Sequence, residues 1–256
     1  MQTSFLDIVV ICFSIAVSIL LLYLLQRLWK PSSRSGHNDV IGPNVGVIGT
    51  TYAVLLAFML SNVWIDFHAA ETNAEQESNC LVNVFRLANT LPEPQRTQVR
   101  QLARDYANYV LDQEWKILDQ GESMSRGIVR PLWDTLMAIH PATTSEQTGW
   151  DQAISELREL TEHRRIRELQ SRSHLPPLLW AVLIVGALVT VISSCLFGVE
   201  NFKLHLVQVS FLSFLIALVL VAIADIDSPF RGPIRVSPAG FQYARQSMDR
   251  EAAQHP

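Results

Sequence analysis

Four apolar stretches set what this chain can fold into: Phe5 to Leu25, Val40 to Ile65, Leu178 to Phe197 and Leu204 to Ala224. Each is near or above the roughly 20 apolar residues that an α-helix needs to cross about 30 Å of hydrocarbon. Charged residues are scarce to match, at 17% of the 256 positions, against roughly 25% in an average soluble domain. The expected fold class is all-α, a four-span transmembrane helical protein with a large helical soluble insertion between spans 2 and 3. In that division residues 1–66 form a transmembrane hairpin with spans at about 5–25 and 40–65, and residues 67–175 form the soluble helical domain. Residues 176–225 form a second hairpin, with spans at about 178–197 and 204–224, and residues 226–256 are a C-terminal tail.

The net charge of -4 is unevenly spread. Residues 67–175 hold 12 Lys/Arg and 16 Asp/Glu, while the rest of the chain holds 8 of each. A near-neutral domain with interleaved signs makes no basic face or stripe, so nucleic acid is not an expected partner. The three cysteines, Cys12, Cys80 and Cys195, lack the spacing of a disulfide framework or zinc site and read as small core residues. Asp7 precedes the first apolar stretch and Gln26-Arg27-Leu28-Trp29-Lys30 follows it. That is not the pattern of a cleaved leader, so the stretch is expected to stay in the mature protein.

Trp29, Trp64 and Trp180 stand where membrane-interface anchors are expected. A short linker, Pro31 to Asp39, returns the second span antiparallel to the first, and Gly42-Pro43-Asn44 should loosen or kink its opening turn. Beyond Trp64 the sequence turns polar but stays free of Gly and Pro until Leu91-Pro92-Glu93-Pro94. The helix should therefore leave the bilayer unbroken, as a rod of ~75 Å from Val40 to Thr90 at 1.5 Å per residue. A further helix should run from Pro94 to about Leu118, stopping at Gln120-Gly121, and another from about Ser123 to Ile139. His140 to Gly149 reads as a loop. Trp150 to Ser173 reads as a charge-laced helix with Arg158/Glu162, Arg164/Glu168 and Glu168/Arg172 at i,i+4. Asp225 and Asp227 end the fourth span, where they are expected to pair with Arg231 or cap the following turns, a proton relay being the alternative.

Four spans put both termini and the insertion on one side. Near the membrane that side carries Arg158, Arg164, Arg165, Arg167, Arg172, Arg231 and Arg235, against Arg27, Lys30, Arg34 and Lys203 opposite. The count favours a cytoplasmic domain.

On the second span Asn44, Ile48, Thr51, Leu55, Phe58, Asn62 and Asp66 fall on one helical stripe. Polar groups within a span face a bundle interior or a water-filled path, so the stripe is a candidate pore lining. Helix packing through Asn and Thr hydrogen bonds is the alternative. His68, Glu71 and Glu75, with Glu77 close by, are candidates for a vestibule that concentrates cations, the alternative being a solvated helix face. Arg164, Arg165, Arg167 and Arg172 read as a salt-bridged helix surface, with lipid headgroups as the other reading. No Gly-x-Ser-x-Gly, His-Glu-x-x-His or Gly-rich phosphate loop occurs, and the seven histidines are dispersed. No catalytic residue, metal site or cofactor is expected, and the protein does not read as an enzyme.

Several segments together resemble the bacterial bestrophin-like domain-of-unknown-function family. They are Gly49 to Phe58 with Val63-Trp64, Phe85 to Pro92, Tyr106 to Trp115, Arg164 to Arg167, Leu175-Pro176 with Trp180, and Asp227 to Phe230 followed by Val236 to Pro238. The resemblance implies four helical spans in a bacterial inner membrane and a helical insertion between the second and third. A more distant likeness to bestrophins, pentameric channels whose second span lines the pore, implies a homo-oligomer in the lipid bilayer that passes inorganic ions. The alternative function is a non-conducting membrane scaffold or sensor whose helical domain binds a partner protein.

Overall fold

The computed structural model describes residues 2–120 and 127–254, and among these every regular element is helical. In chain order they are α1 (Gln2–Leu28), α2 (Pro31–Ser35), α3 (Asn38–Leu87), α4 (Gln95–Tyr109), α5 (Trp115–Gln120), α6 (Arg130–Met137), α7 (Thr144–Arg172), α8 (Pro177–Cys195), α9 (Phe202–Ile226) and α10 (Ala239–Gln254). Four helical stretches are long and apolar enough to cross a membrane: Phe5–Leu28, Asn38–Thr90, Pro177–Cys195 and Phe202–Ile226. The chain divides into two compact units, one of residues 1–65 and 174–227, the other of residues 66–173 and 228–256.

In the first unit α1 packs along α9 and α8, and α8 pairs with α9. Small and hydroxylated side chains make the close approaches. Ser213 donates to Ser18 at 2.6 Å, and Ser18 donates to the Ser14 carbonyl at 2.8 Å, so both hydroxyls are satisfied without water. Tyr52 of α3 lies against Gly186 of α8, and its hydroxyl donates to the Leu183 carbonyl at 2.9 Å. The expected linker holds a helical turn of its own, α2, with Pro31 at its first position, where the missing N–H is no loss. Pro43 does not delay α3, which begins at Asn38 and runs through it. The missing proline donor leaves a gap near the helix start only, and there the Asn44 amide donates to the Val40 carbonyl at 3.0 Å. Of the three cysteines expected in cores, Cys195 is buried, Cys80 is intermediate and Cys12 is exposed on α1.

The second unit has a core built from Leu81, Val84, Phe85, Val99, Ala103, Leu132, Leu136, Leu157, Leu160 and Phe241, all buried. After α4 a π-helical turn, Val110–Glu114, leads into α5. The helix expected from Ser123 is shorter in the structure, as α6, and its expected first residues lie outside the described ones. The stretch expected to be a loop up to Gly149 is helical from Thr144. Thr143 accepts from the Glu146 N–H at 3.2 Å and Glu146 accepts from the Ala142 N–H at 2.8 Å, so a Thr-x-x-Glu capping motif sets the start. Gly149 sits inside α7 because a Cβ there would overlap the Thr90 side chain. The C-terminal residues carry α10, which packs on α4 and the π turn.

The Tyr52 contact yields a test. A Cβ at Gly186 would come 2.5 Å from the Tyr52 ring, whose hydroxyl is already tied down. Gly186→Val is expected to destabilise the protein by about 1–3 kcal/mol, the usual cost of overpacking. A thermal scan of the detergent-solubilised protein checks this, and Gly186→Val in a Tyr52→Ala background should recover part of the loss.

Candidate functional site

Helix α3 carries the pore candidates, and its packing shows which face is free. Its buried positions include Tyr52, Leu56, Val63, Phe67, Ala70, Ala74, Glu77, Leu81 and Val84, mostly three or four residues apart. That is the seam of a helix laid against its own chain. At about 100° per residue the stripe Asn44, Ile48, Thr51, Leu55, Phe58, Asn62 and Asp66 lies about 100° round from the seam. Asn44, Thr51, Phe58, Asn62 and Asp66 are exposed, while Ile48 and Leu55 are half-buried. Phe58 is 65% exposed. Trp29 and Trp64 are exposed and Trp180 is half-buried.

His68, Glu71 and Glu75 do not continue the stripe. The same helical rotation sets them more than about 100° away from it, on a face of their own. His68 and Glu71 bond to each other at 3.2 Å, and Glu75 is exposed. Glu77, which the sequence reading grouped with these surface carboxylates, is fully buried.

Glu77 belongs to a buried ionic cluster in the second unit. Arg167 donates to both its carboxylate oxygens, from Nε to Oε2 at 2.6 Å and from Nη2 to Oε1 at 2.9 Å. Tyr106 donates its hydroxyl proton to Glu77 Oε1 at 2.5 Å. Glu114 accepts from Arg164 Nη1 at 2.8 Å and Nη2 at 2.5 Å, and from Arg167 Nη2 at 3.0 Å. Arg164 also donates to the Tyr106 oxygen at 3.2 Å. Two carboxylates thus meet two guanidiniums with no net charge. The Arg167 guanidinium stacks 5.4 Å from the Trp115 ring centroid and 5.7 Å from that of Phe241, so aromatic faces cover what carboxylates leave open. Burial and the nearby Glu77 charge push the Tyr106 pKa well above its ordinary value, which keeps the phenol protonated as a donor. Burial works against both arginine charges. The Tyr106 oxygen and Glu114 beside Arg164, and Glu77 and Glu114 beside Arg167, outweigh it and raise both pKa values.

The expected surface ion pairs are corrected accordingly. Arg172 does pair with Glu168, at 2.7 Å, but Glu162 pairs with Arg165, at 2.6 Å, and Arg158 lies 3.9 Å from Glu159. Arg164 and Arg167 face inward and form neither a salt-laced surface nor a headgroup contact. Their spacing held the signal. Leu157, Leu160, Arg164, Arg167 and Ser171 are all buried and recur every three or four residues, so the arginines lie on the apolar seam of α7. Glu77 sits on the seam of α3 in the same way. Glu114 had no such signal, since the π turn shifts the register that would place it. At the end of α9, Asp227 accepts from the Leu175 N–H at 2.8 Å, which ties it to the extended segment before α8 rather than to a following turn.

The cluster ties part of α3 to α7 and to the π turn, so removing one member strands a buried charge. Glu77→Gln is expected to cost about 3–5 kcal/mol, the usual penalty for breaking a buried pair. Replacing both Glu77 and Arg167 with apolar residues leaves the neutral Glu114–Arg164 pair. The double variant should therefore lose less than either single one in a chemical-unfolding series.

No curated protein sequence matches the chain. Its fold is similar to that of a crystal structure described as a membrane protein, with a TM-score of 0.72, 14% identity, and 96% of this chain and 100% of that one covered. It is also similar to a crystal structure of a bacterial bestrophin homolog from Klebsiella pneumoniae, at a TM-score of 0.66 and 13% identity over 96% of this chain and 100% of that one. A mutant of the Klebsiella pneumoniae homolog gives a TM-score of 0.65 at 12% identity, covering 94% of this chain and 98% of that one. The family model of the bestrophin-like domain matches residues 12–241, and with most of the chain matched the protein belongs to the bestrophin-like family.

Proposed function

We propose that this protein is a four-span integral membrane protein of the bacterial inner membrane that assembles as a homo-oligomer and conducts inorganic ions. The α3 stripe Asn44, Ile48, Thr51, Leu55, Phe58, Asn62 and Asp66 lines the path. What supports this most is the split character of α3: one face is used up by its own chain, and the polar-dotted face beside it is mostly exposed. Asn, Thr and Asp side chains are expensive against lipid, so several copies turning this face toward a shared aqueous axis would relieve the cost. Side-chain oxygens and the Asp66 carboxylate then meet the ion, and Leu55 and Phe58 supply the narrow apolar section. His68, Glu71 and Glu75 are assigned to the approach rather than the lining: they face elsewhere on the helix, where Glu71 and Glu75 raise the local cation concentration. The insertion, residues 67–175, is placed in the cytoplasm.

The scaffold reading has one observation in its favour. Tyr243 on α10 is 71% exposed, beside a groove lined by Arg245, Gln246, Asp249 and Arg250. An exposed aromatic flanked by arginines has the composition of a protein-binding hot spot.

Reconstituted liposomes distinguish the two. Flux of sodium or chloride should appear with the wild type, rise in Phe58→Ala as the apolar section widens, and change its cation preference in Asp66→Asn. Zero flux in all three would refute conduction and leave the scaffold. Orientation is read separately: a thiol placed by Ser33→Cys should react with an impermeant reagent from outside intact cells, and reaction only after lysis would reverse the topology.

A further inference from the structure

The loop between α1 and α3 holds a buried cation that no carboxylate among the described residues neutralises. Arg34, in α2, is 0% exposed. Its Nη1 donates to the Cys195 carbonyl at 2.8 Å, at the C-terminal end of α8, where the helix dipole welcomes positive charge. Its Nε and Nη2 have no partner. Burial lowers the Arg34 pKa, and Cys195 offsets this only in part.

The two unpartnered nitrogens are the ones that matter. In a guanidinium, Nε–H and one N–H of Nη2 point the same way and form a fork that fits two oxygens of one oxyanion. This protein uses that edge elsewhere: Arg167 offers Nε and Nη2 to Glu77, and Arg165 offers Nε and Nη2 to Glu162. At Arg34 the identical edge has no partner and is closed off from solvent, so a ligand reaches it only as the α2 turn yields. Neighbouring polar groups are engaged with the backbone, except the buried Nδ1 of His205, which has no partner. Asn38 donates to the Gly198 carbonyl at 3.1 Å and accepts from the Gly198 N–H at 3.0 Å. His205 Nε2 donates to the Ser194 carbonyl at 3.1 Å, so the last turn of α8 is capped from two sides. The acidic residues of the two short connections, Asp39 and Glu200, are exposed, while Arg27 and Lys30 add positive charge nearby in the chain.

We infer that the Nε/Nη2 edge of Arg34 is a binding site for a phosphate-type oxyanion, held side-on while Nη1 remains on the Cys195 carbonyl. A phosphate group matches the fork chemically, because it supplies the two oxygens and the negative charge that the fork lacks. Its source is either free phosphate or the phosphodiester of a lipid headgroup, since the loop joins two membrane-crossing helices. The site is distinct from the α3 stripe and does not depend on conduction.

Full-length protein, stripped of lipid in detergent, tests the site and its source. In one arm inorganic phosphate replaces chloride at constant ionic strength. In the other the protein is placed in nanodiscs of phosphatidylglycerol or of a phosphate-free galactolipid. Saturating ligand should raise the thermal midpoint by about 5 °C, in the first arm for a free-phosphate site and only in the second for a headgroup site. Arg34→Gln should abolish the rise and Arg34→Lys, which keeps the charge but loses the fork, should remove most of it. Equal midpoints for the wild type across all conditions, or an undiminished rise in Arg34→Gln, would overturn the site. If Arg34→Gln fails to fold, an experimental wild-type map decides: phosphate density within hydrogen-bonding distance of Nε and Nη2 supports it. A water alone, or a carboxylate from a second copy, at that position overturns it.

Discussion

A polar group withdrawn from water must find another partner, and this constraint organises both units. In the apolar stretches it is met by the backbone itself: all four become helices, whose internal hydrogen bonds leave nothing exposed to hydrocarbon. Side chains obey it next. The Ser213–Ser18–Ser14 chain and the bond from Tyr52 to the Leu183 carbonyl let polar groups lie between close-packed helices without an open valence. The helical unit meets it with ions, since Glu77 and Glu114 satisfy Arg164 and Arg167 while Tyr106 contributes its proton. A cluster of this kind adds little net stability over an apolar core of the same shape. What it adds is intolerance of other arrangements, because a one-residue shift of α7 turns both arginines off the buried seam and leaves Glu77 and Glu114 buried without their partners.

The same constraint identifies where the single chain is incomplete. The α3 stripe leaves Asn44, Thr51 and Asn62 exposed on a helix that is otherwise suited to lipid, and Arg34 leaves a guanidinium edge empty inside the protein. These two departures are of different kinds. The stripe faces outward, and in the proposed assembly other copies of the chain and the water they enclose would satisfy it. The Arg34 edge faces inward and is one fork wide, and the proposed occupant is a small anionic group.

Much of the architecture was legible because apolar length and the spacing of Pro and Gly report directly on backbone hydrogen bonding. The unbroken run from Trp64 to Leu91 announced a helix far longer than a bilayer, and α3 is that helix. Capping chemistry was harder to see: Thr143 and Glu146 were read as loop residues although their spacing matches a capping box, and α7 begins six residues earlier than the apolar pattern suggested. The ionic cluster stayed hidden for a deeper reason. Arg164 and Arg167 have acidic neighbours on their own helix at suitable spacing, and local pairing is the ordinary fate of such charges. Only their coincidence with the buried Leu157 and Leu160 seam marks them as interior, and their partners lie 50 to 90 residues away in sequence. Face assignment along α3 also needed three dimensions. His68, Glu71 and Glu75 are close to the stripe in sequence but not in rotation.

The central claim is that the α3 stripe of several copies surrounds a common aqueous axis. The most direct measurement is an experimental structure of the full chain in a lipid nanodisc, with the oligomer intact. The account predicts Thr51, Leu55, Phe58 and Asn62 from every copy facing one continuous path along the symmetry axis. Those side chains turned to lipid, or interlocked between helices with no path through the assembly, would contradict it.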